Sequence, residues 1–296
     1  MKNFQIHSFL LKNLKIMKVN IQLFLAAVLV FISFNAFAQV AAWDFRVNEE
    51  MGDISEIQLK GATLTDKGLV VSQNKWATAT YSGKALKEKT LIVMATVGAL
   101  GGGGSAFTID HTNKDVFDGV VLGERKAGQW IAGSNGYART NASNTSNSFV
   151  ETVGETVMMA ITYKEVNGKT KVSIYRNGNL LETYEKGALV TYQNDVKFIF
   201  GVRHSLGNRA IGTFTGVIQA AAIFDSALDA VTIKEAAEKE LSGASGSVIT
   251  SVPITFNSQT LLVASENGAD ASNWYEAKYF CNDLVADGKA YQNLFS

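Results

Sequence analysis

Between residues 125 and 139 the chain gathers Arg125, Trp130, Asn135, Tyr137 and Arg139, and further on Arg203 stands next to His204. Flat rings beside amides and guanidinium groups suit sugars, whose C–H faces stack on aromatics and whose paired hydroxyls take up donors. The plainer reading makes Trp130 core and has Arg139 pin a loop to a sheet edge; Trp43 and Trp76 read as core. A second group lies in Asp110-His-Thr-Asn-Lys-Asp-Val-Phe-Asp118, where Asp110, Asn113, Asp115 and Asp118 offer the oxygen ligands that Ca2+ prefers. Their order is not that of an EF-hand, and solvated loop acids are the other reading. Past residue 38 the histidines are His111 and His204, with no Gly-x-Ser-x-Gly elbow to supply a nucleophile. His204 follows Phe198, Phe200 and Val202 at period two, which predicts the same sheet face and a hydrogen-bonded structural role.

Composition bounds the partners. The 296 residues are 47% hydrophobic and 18% charged, which is globular, and the formal net charge is zero. A neutral balance argues against nucleic acid, whose phosphates reward a basic face. A single cysteine, Cys281, excludes an intramolecular disulfide framework and a Cys-based zinc site.

Residues 1–20 carry Lys2, Lys12, Lys15 and Lys18 with no acid, and the apolar run 21–34 leads into Ala36-Phe-Ala38. This is the pattern of a secretory signal cleaved after Ala38. Met17-Lys18 would open a more ordinary signal than Met1. The run is short of the ~20 residues of a spanning helix, so no membrane insertion is expected after cleavage. Residues 39–296 then carry 23 basic and 27 acidic residues, a net charge of −4, on a chain that is secreted, periplasmic or displayed at the cell surface.

The elements that must position these side chains are strands. Short apolar or alternating runs recur from 42 to 225 between Gly and Asn turns: 42–45, 68–71, 78–81, 90–97, 106–110, 119–125, 129–132, 156–163, 171–176, 180–184, 196–202 and 213–225. Asn167-Gly168 and Asn177-Gly178 suit type I′ hairpin turns and make 156–184 a three-stranded meander. Gly101–Gly104 lacks the Lys-Ser/Thr of a phosphate-binding loop. One helix is predicted over 230–241, capped by Asp229, with Val231, Ile233, Ala237 and Leu241 as its apolar stripe. The fold class is therefore all-β, a two-sheet antiparallel jelly-roll sandwich over 39–242 with one short C-terminal helix. Residues 243–296 read as a Ser/Gly linker and an extension, or as the start of a further domain. Thr140–Ser148 reads as a polar surface loop with two glycosylation sequons, at Asn141 and Asn144.

Several segments together resemble a laminin G-like jelly-roll module of the concanavalin A-like lectin/glucanase superfamily, of bacterial secreted type. They are Ala42-Trp-Asp-Phe45, Val172-Ser-Ile-Tyr-Arg-Asn-Gly178, Phe200-Gly-Val-Arg-His204, Phe214-Thr-Gly-Val-Ile-Gln219 and Ile223-Phe-Asp-Ser-Ala-Leu228. Phe117–Arg125 and Trp130–Thr140 are similar to a bacterial subgroup. The resemblance covers about 42–240 and implies a secreted binding module for an extracellular glycan or protein, sometimes with calcium. It also admits glycosidases and lyases. Glucanases of that superfamily carry Glu-x-Asp-x-x-Glu on one strand, because retaining hydrolysis needs two carboxylates ~5–5.5 Å apart. No such string occurs here, and Asp115, Asp118 and Glu124 have the wrong spacing. Glu124 reads as an ion pair with Arg125, Arg203 or Lys126. A non-catalytic glycan-binding module is the expectation, an adhesive protein-binding module the first alternative, and a divergent glycosidase or lyase the second, with Glu124, Tyr137, Arg203 and His204 as its candidate residues.

Overall fold

The structure is a computed structural model that describes residues 39–141, 149–206 and 209–241, together with the strands Ile254–Phe256, Gln259–Leu261, Val285–Ala286 and Lys289–Ala290. The leader expected over 1–38, the sequon at Asn144 and the rest of 243–296 lie outside the described residues.

Seventeen strands and one helix make up the main body. They are β1 (Gln39–Asp44), β2 (Glu49–Gly52), β3 (Gln58–Lys60), β4 (Thr63–Thr65), β5 (Gly68–Val71), β6 (Trp76–Tyr81), β7 (Lys89–Val97), β8 (Gly104–His111) and β9 (Phe117–Leu122). Then follow β10 (Trp130–Ser134), β11 (Thr156–Val166), β12 (Lys169–Arg176), β13 (Asn179–Glu185), β14 (Val196–Phe200), β15 (His204–Leu206), β16 (Arg209–Ile211), β17 (Gly216–Phe224) and the helix α1 (Ala230–Leu241). A nine-stranded sheet runs β13-β12-β11-β7-β17-β1-β2, with β5 and β4 added beside β17, and a six-stranded sheet runs β10-β9-β8-β14-β6-β3. Their pairings are antiparallel, and the two sheets face each other as a jelly-roll sandwich. Every strand expected from the sequence overlaps one of these.

Alternation fixes the faces. Leu91, Val93, Ala95 and Val97 of β7 and Met159 and Ile161 of β11 point into the sandwich, where Val120 and Leu122 of β9 and Phe198 and Phe200 of β14 meet them. At the centre Trp43 lies edge-on to Phe107, Phe198 and Phe200, with ring centroids 5.0–5.7 Å apart. The meander turns form as the sequence implies, with Asn167, Gly168, Asn177 and Gly178 all at positive φ.

The outer face of the nine-stranded sheet is covered by α1. The Asp229 carboxylate accepts the Thr232 N–H at 2.8 Å, the expected cap. The buried stripe differs from the one expected: Ile233, Ala236, Ala237 and Glu240 face the sheet, while Val231 and Leu241 are exposed. Ala42, Ile92, Met158, Ala222 and Phe224 receive the helix. Glu240 fits this side because the Arg46 guanidinium, held by Asp44, lies 3.7 Å away; burial raises the Glu240 pKa against that attraction.

Gly178 ties the meander to the helix, since a Cβ there would come within 2.8 Å of the Lys234 Cα. Gly178→Ala is expected to lower stability by about 1–3 kcal/mol, the range for overpacking on top of backbone strain. Gly168→Ala, with a similar φ but nothing near the added methyl, serves as the strain-only comparison. Urea unfolding of the two variants measures the difference, and equal losses would show that the helix does not sit against this turn.

Candidate functional site

The period-two pattern that fills the core also drives charge into it. Lys89 shares a face with Leu91, and Asp118 shares one with Val120, so both enter the sandwich at one end, with side chains at 0% exposure. The Lys89 ammonium lies 3.0 Å from Asp118 Oδ2 and over the rings of Tyr163 and Tyr192, at 4.5 and 4.8 Å. Tyr192 donates its hydroxyl proton to the same oxygen at 3.0 Å. Arg139 Nε donates to Asp118 Oδ1 at 2.7 Å, and its Nη2 donates to the Phe117 carbonyl and to Asn135 Oδ1, both at 3.0 Å. Burial lowers the Lys89 pKa against the pull of Asp118, and burial raises those of Tyr163 and Tyr192. For Arg139 burial opposes the charge, but the Asp118 carboxylate together with Tyr192 and Tyr163 outweighs it and the pKa rises.

This network anchors a turn. Ser134 and Thr140 share a hydrogen bond at 2.9 Å, and the Arg139 N–H donates to Ser134 Oγ at 2.9 Å. Tyr184 and Lys186 donate to the carbonyls of Arg139 and Thr140. Between these clamps a short 3-10 turn, Asn135–Tyr137, carries Gly136 and Tyr137 at φ +54° and +56°. A tyrosine in the left-handed region is uncommon, and such outliers persist where the surroundings fix them.

Tyr137 reaches from this turn to the one between β9 and β10. Its hydroxyl donates to Glu124 Oε1 at 3.1 Å, and the Arg125 guanidinium sits 5.3 Å from its ring centroid. Arg203 pairs with the same Glu124 oxygen and donates to the Gly103 carbonyl at 3.2 Å. Glu124 and Arg203 are 14% and 23% exposed, Asn135 and Tyr137 are half-buried, and Arg125 is exposed. Four residues expected at a ligand surface, Arg125, Asn135, Tyr137 and Arg203, are therefore accessible on this side, with Glu124 among them.

The other three are placed differently. Trp130 is 1% exposed and donates its indole N–H to Glu151 at 2.8 Å, and Arg176 pairs with that carboxylate at 2.8 Å. No ring face remains for a sugar, so Trp130 is core. Arg139 is buried on Asp118. His204 is also buried, and not beside Phe198 and Phe200: Gly201, at φ +102°, turns the chain after β14, and the His204 ring stacks on Phe117 instead. Its Nδ1 is 2.8 Å from Asp110 Oδ1, and Asp110 Oδ2 accepts the Ser205 N–H, which holds the β15–β16 hairpin down. Trp76, expected in the core, is half-exposed on β6, whose Ala77, Ala79 and Tyr81 take the inner face.

The calcium set does not converge. Asp118 is enclosed by Lys89, Arg139 and Tyr192, and Asp110 by His204, Ser205 and Lys197, the last at 3.5 Å. Asn113 donates to Asp195 at 3.0 Å, and Asp115 is 69% exposed, 3.6 Å from His204 Nε2. Both buried carboxylates have their charge met by cationic side chains or backbone N–H groups, so these four residues do not fit a hard divalent cation that gathers six or more oxygens.

The sequence missed Lys89, Tyr163 and Tyr192. Lys89 alternates in step with Leu91 and Val93, which was the available signal, but its partner lies on the other sheet. A shallow crevice at the sandwich edge, lined by Asn48, Glu50, Glu56, Ile57, Leu59 and Leu64, shares none of the expected site residues.

No protein-family model and no curated protein matches the chain. Solved structures match in fold. Domain 4 of AbnA, an extracellular GH43 arabinanase from Geobacillus stearothermophilus, in complex with arabinotriose, is 14% identical, with a TM-score of 0.52, over 67% of this chain and 98% of that one. The receptor-binding domain of botulinum neurotoxin D is 12% identical with a TM-score of 0.47, and the match spans 69% of this chain and 53% of that domain. A pentraxin from Limulus polyphemus is 15% identical, with a TM-score of 0.45, over 66% and 83% of the two chains. The class that the fold defines is the jelly-roll β-sandwich.

The tyrosines make a pH prediction. Their raised pKa values mean that the folded chain keeps protons that the unfolded chain releases near pH 10, so stability falls as pH rises through about 10. Lys89 acts in the opposite sense, its burial cost easing as pH approaches the ordinary lysine range. The Tyr163 hydroxyl has no hydrogen-bond partner among the described residues, so Tyr163→Phe is expected to leave stability at neutral pH unchanged or slightly higher and to flatten the alkaline fall. Tyr192→Phe loses a bond to a carboxylate and is expected to cost about 1.5–3 kcal/mol. Denaturant midpoints measured from neutral to alkaline pH check both, and equal losses for the two variants would contradict the network.

Proposed function

We propose that the chain is a secreted, non-catalytic glycan-binding module whose ligand seats against Tyr137. The observation that carries this reading is a tyrosine held in left-handed backbone on a clamped turn, with Arg125 over its ring and Asn135 beside it. A rigid aromatic flanked by a guanidinium and an amide has the groups that take up a sugar face and its hydroxyls. The expected leader supports secretion. The arabinotriose-bound arabinanase domain offers an analogy at the level of fold only. Binding without catalysis is favoured because Glu124 is the single carboxylate of the cluster and is paired with Arg203, whereas glycoside hydrolysis generally uses two.

A specific observation supports a second reading, an adhesive module. Leu206 and Ile211 are exposed at 45% and 38% on the β15–β16 hairpin. Two exposed apolar side chains on one hairpin would contribute to the kind of contiguous apolar patch that marks a protein-interaction site.

Affinity electrophoresis of the full-length protein through gels holding extracellular polysaccharides separates the two. The expected result is retardation by at least one glycan, weakened about tenfold or more by Tyr137→Ala with an unchanged melting temperature, and unaffected by Leu206→Asp. Absence of retardation by every polysaccharide would overturn the glycan reading, and a protein partner lost on Leu206→Asp would establish the adhesive one.

A further inference from the structure

The cluster around Tyr137 is unequal in what it offers a ligand. Asn135 Oδ1 already accepts from Arg139, so the Asn135 side chain is oriented with its acceptor inward and its two N–H donors left for other partners. Glu124, the one acid, is paired with Arg203 and receives the Tyr137 hydroxyl proton, which occupies the phenol as a donor. Arg125 and Lys126 follow directly on Glu124; both are exposed, and neither forms an ion pair among the described residues. Two uncompensated cations, an outward amide donor and a neutralised carboxylate leave this surface rich in donors and net positive. It does so on a chain whose residues 39–296 carry a net charge of −4. A neutral glycan, whose hydroxyls donate as often as they accept, would find few acceptors here. An anionic sugar would find its charge met.

Resting on the glycan reading above, we infer that the ligand is an acidic glycan, one whose carboxylate or sulfate ester is bound by Arg125 while its ring lies against Tyr137. Arg125 is then the residue that sets ligand class, and Arg139 is a positioning residue that fixes the polarity of Asn135 from within the core. The guanidinium fork takes a planar carboxylate through two parallel N–H bonds, which an ammonium cannot reproduce. Screening by salt follows, because Arg125 and Lys126 are exposed.

The test uses the full-length protein and three probes: polygalacturonate, dextran sulfate and unmodified dextran. Expected is binding to an anionic probe, at least tenfold tighter than to dextran, weakening as salt rises. Arg125→Gln is expected to lower that affinity about tenfold, the worth of a charge-assisted hydrogen bond. Lys169→Gln, a charge-matched change at the start of β12, is expected to leave it unchanged. Arg125→Lys separates the two sources of charge: a loss as large as that of Arg125→Gln marks the carboxylate, and near-complete rescue marks the sulfate. Binding to all three probes alike, lost on Tyr137→Ala but not on Arg125→Gln, would overturn the acidic class and leave the glycan reading standing. A loss on Lys169→Gln equal to that on Arg125→Gln would reduce the binding to general charge attraction and overturn the inference. Binding to none of these probes or to any other glycan would overturn both readings.

Discussion

A carboxylate buried between two sheets is tolerable only if its charge is met, because removing it from water costs several kcal/mol. Asp118 is met on both oxygens, by Lys89 and Tyr192 on one and by Arg139 on the other. Since Lys89 belongs to the nine-stranded sheet and Asp118 to the six-stranded sheet, the interaction also pins the two layers at that end. Removing one partner of such a pair typically costs about 3–5 kcal/mol, as the other charge is left buried and alone. This arrangement therefore acts as a fixed point rather than as a large net source of stability.

The surface follows from that fixed point. Arg139 joins the turn to the core: its guanidinium grips Asp118 and also donates to Asn135 Oδ1, which sets how Asn135 stands. The strands beneath make room, as Gly133 pairs with Gly119 and a methyl group on Gly133 would strike the Val121 side chain. Glu124 and Arg203 complete the support from two other turns. The turn is thus tied to several elements, and a group so held would bring to any ligand the preorganisation that lowers the ordering cost of binding.

Much of the fold could be read from the sequence because period-two alternation and Asn-Gly turns are local signals. The strands of the main body left unread, β2, β3, β4, β15 and β16, are three or four residues long; β2, β3 and β4 have no fully buried residue to impose a pattern, and β15 buries the polar His204 and Ser205 rather than an apolar run. The site was half legible. Arg125, Asn135, Tyr137 and Arg203 were recognisable as sugar-binding types, but residue type does not report burial: Trp130, expected at a ligand surface, is buried, and Trp76, expected in the core, is half-exposed. His204 was misplaced because a single glycine, Gly201, broke the alternation. Asp118 looked like a metal ligand because its neutralising lysine comes from another sheet, and packing between sheets has no signature along the chain.

Amide hydrogen exchange on Asp118→Asn, compared with the unaltered chain, tests most directly whether the buried carboxylate holds the turn that carries Asn135 and Tyr137. Amides from 134 to 140 are expected to lose protection well beyond any change in the central strands β7, β11 and β17, because the turn loses its anchor while the apolar core remains. Protection at 134–140 that falls only in step with those strands would contradict this, and would make the turn's conformation independent of the charge beneath it.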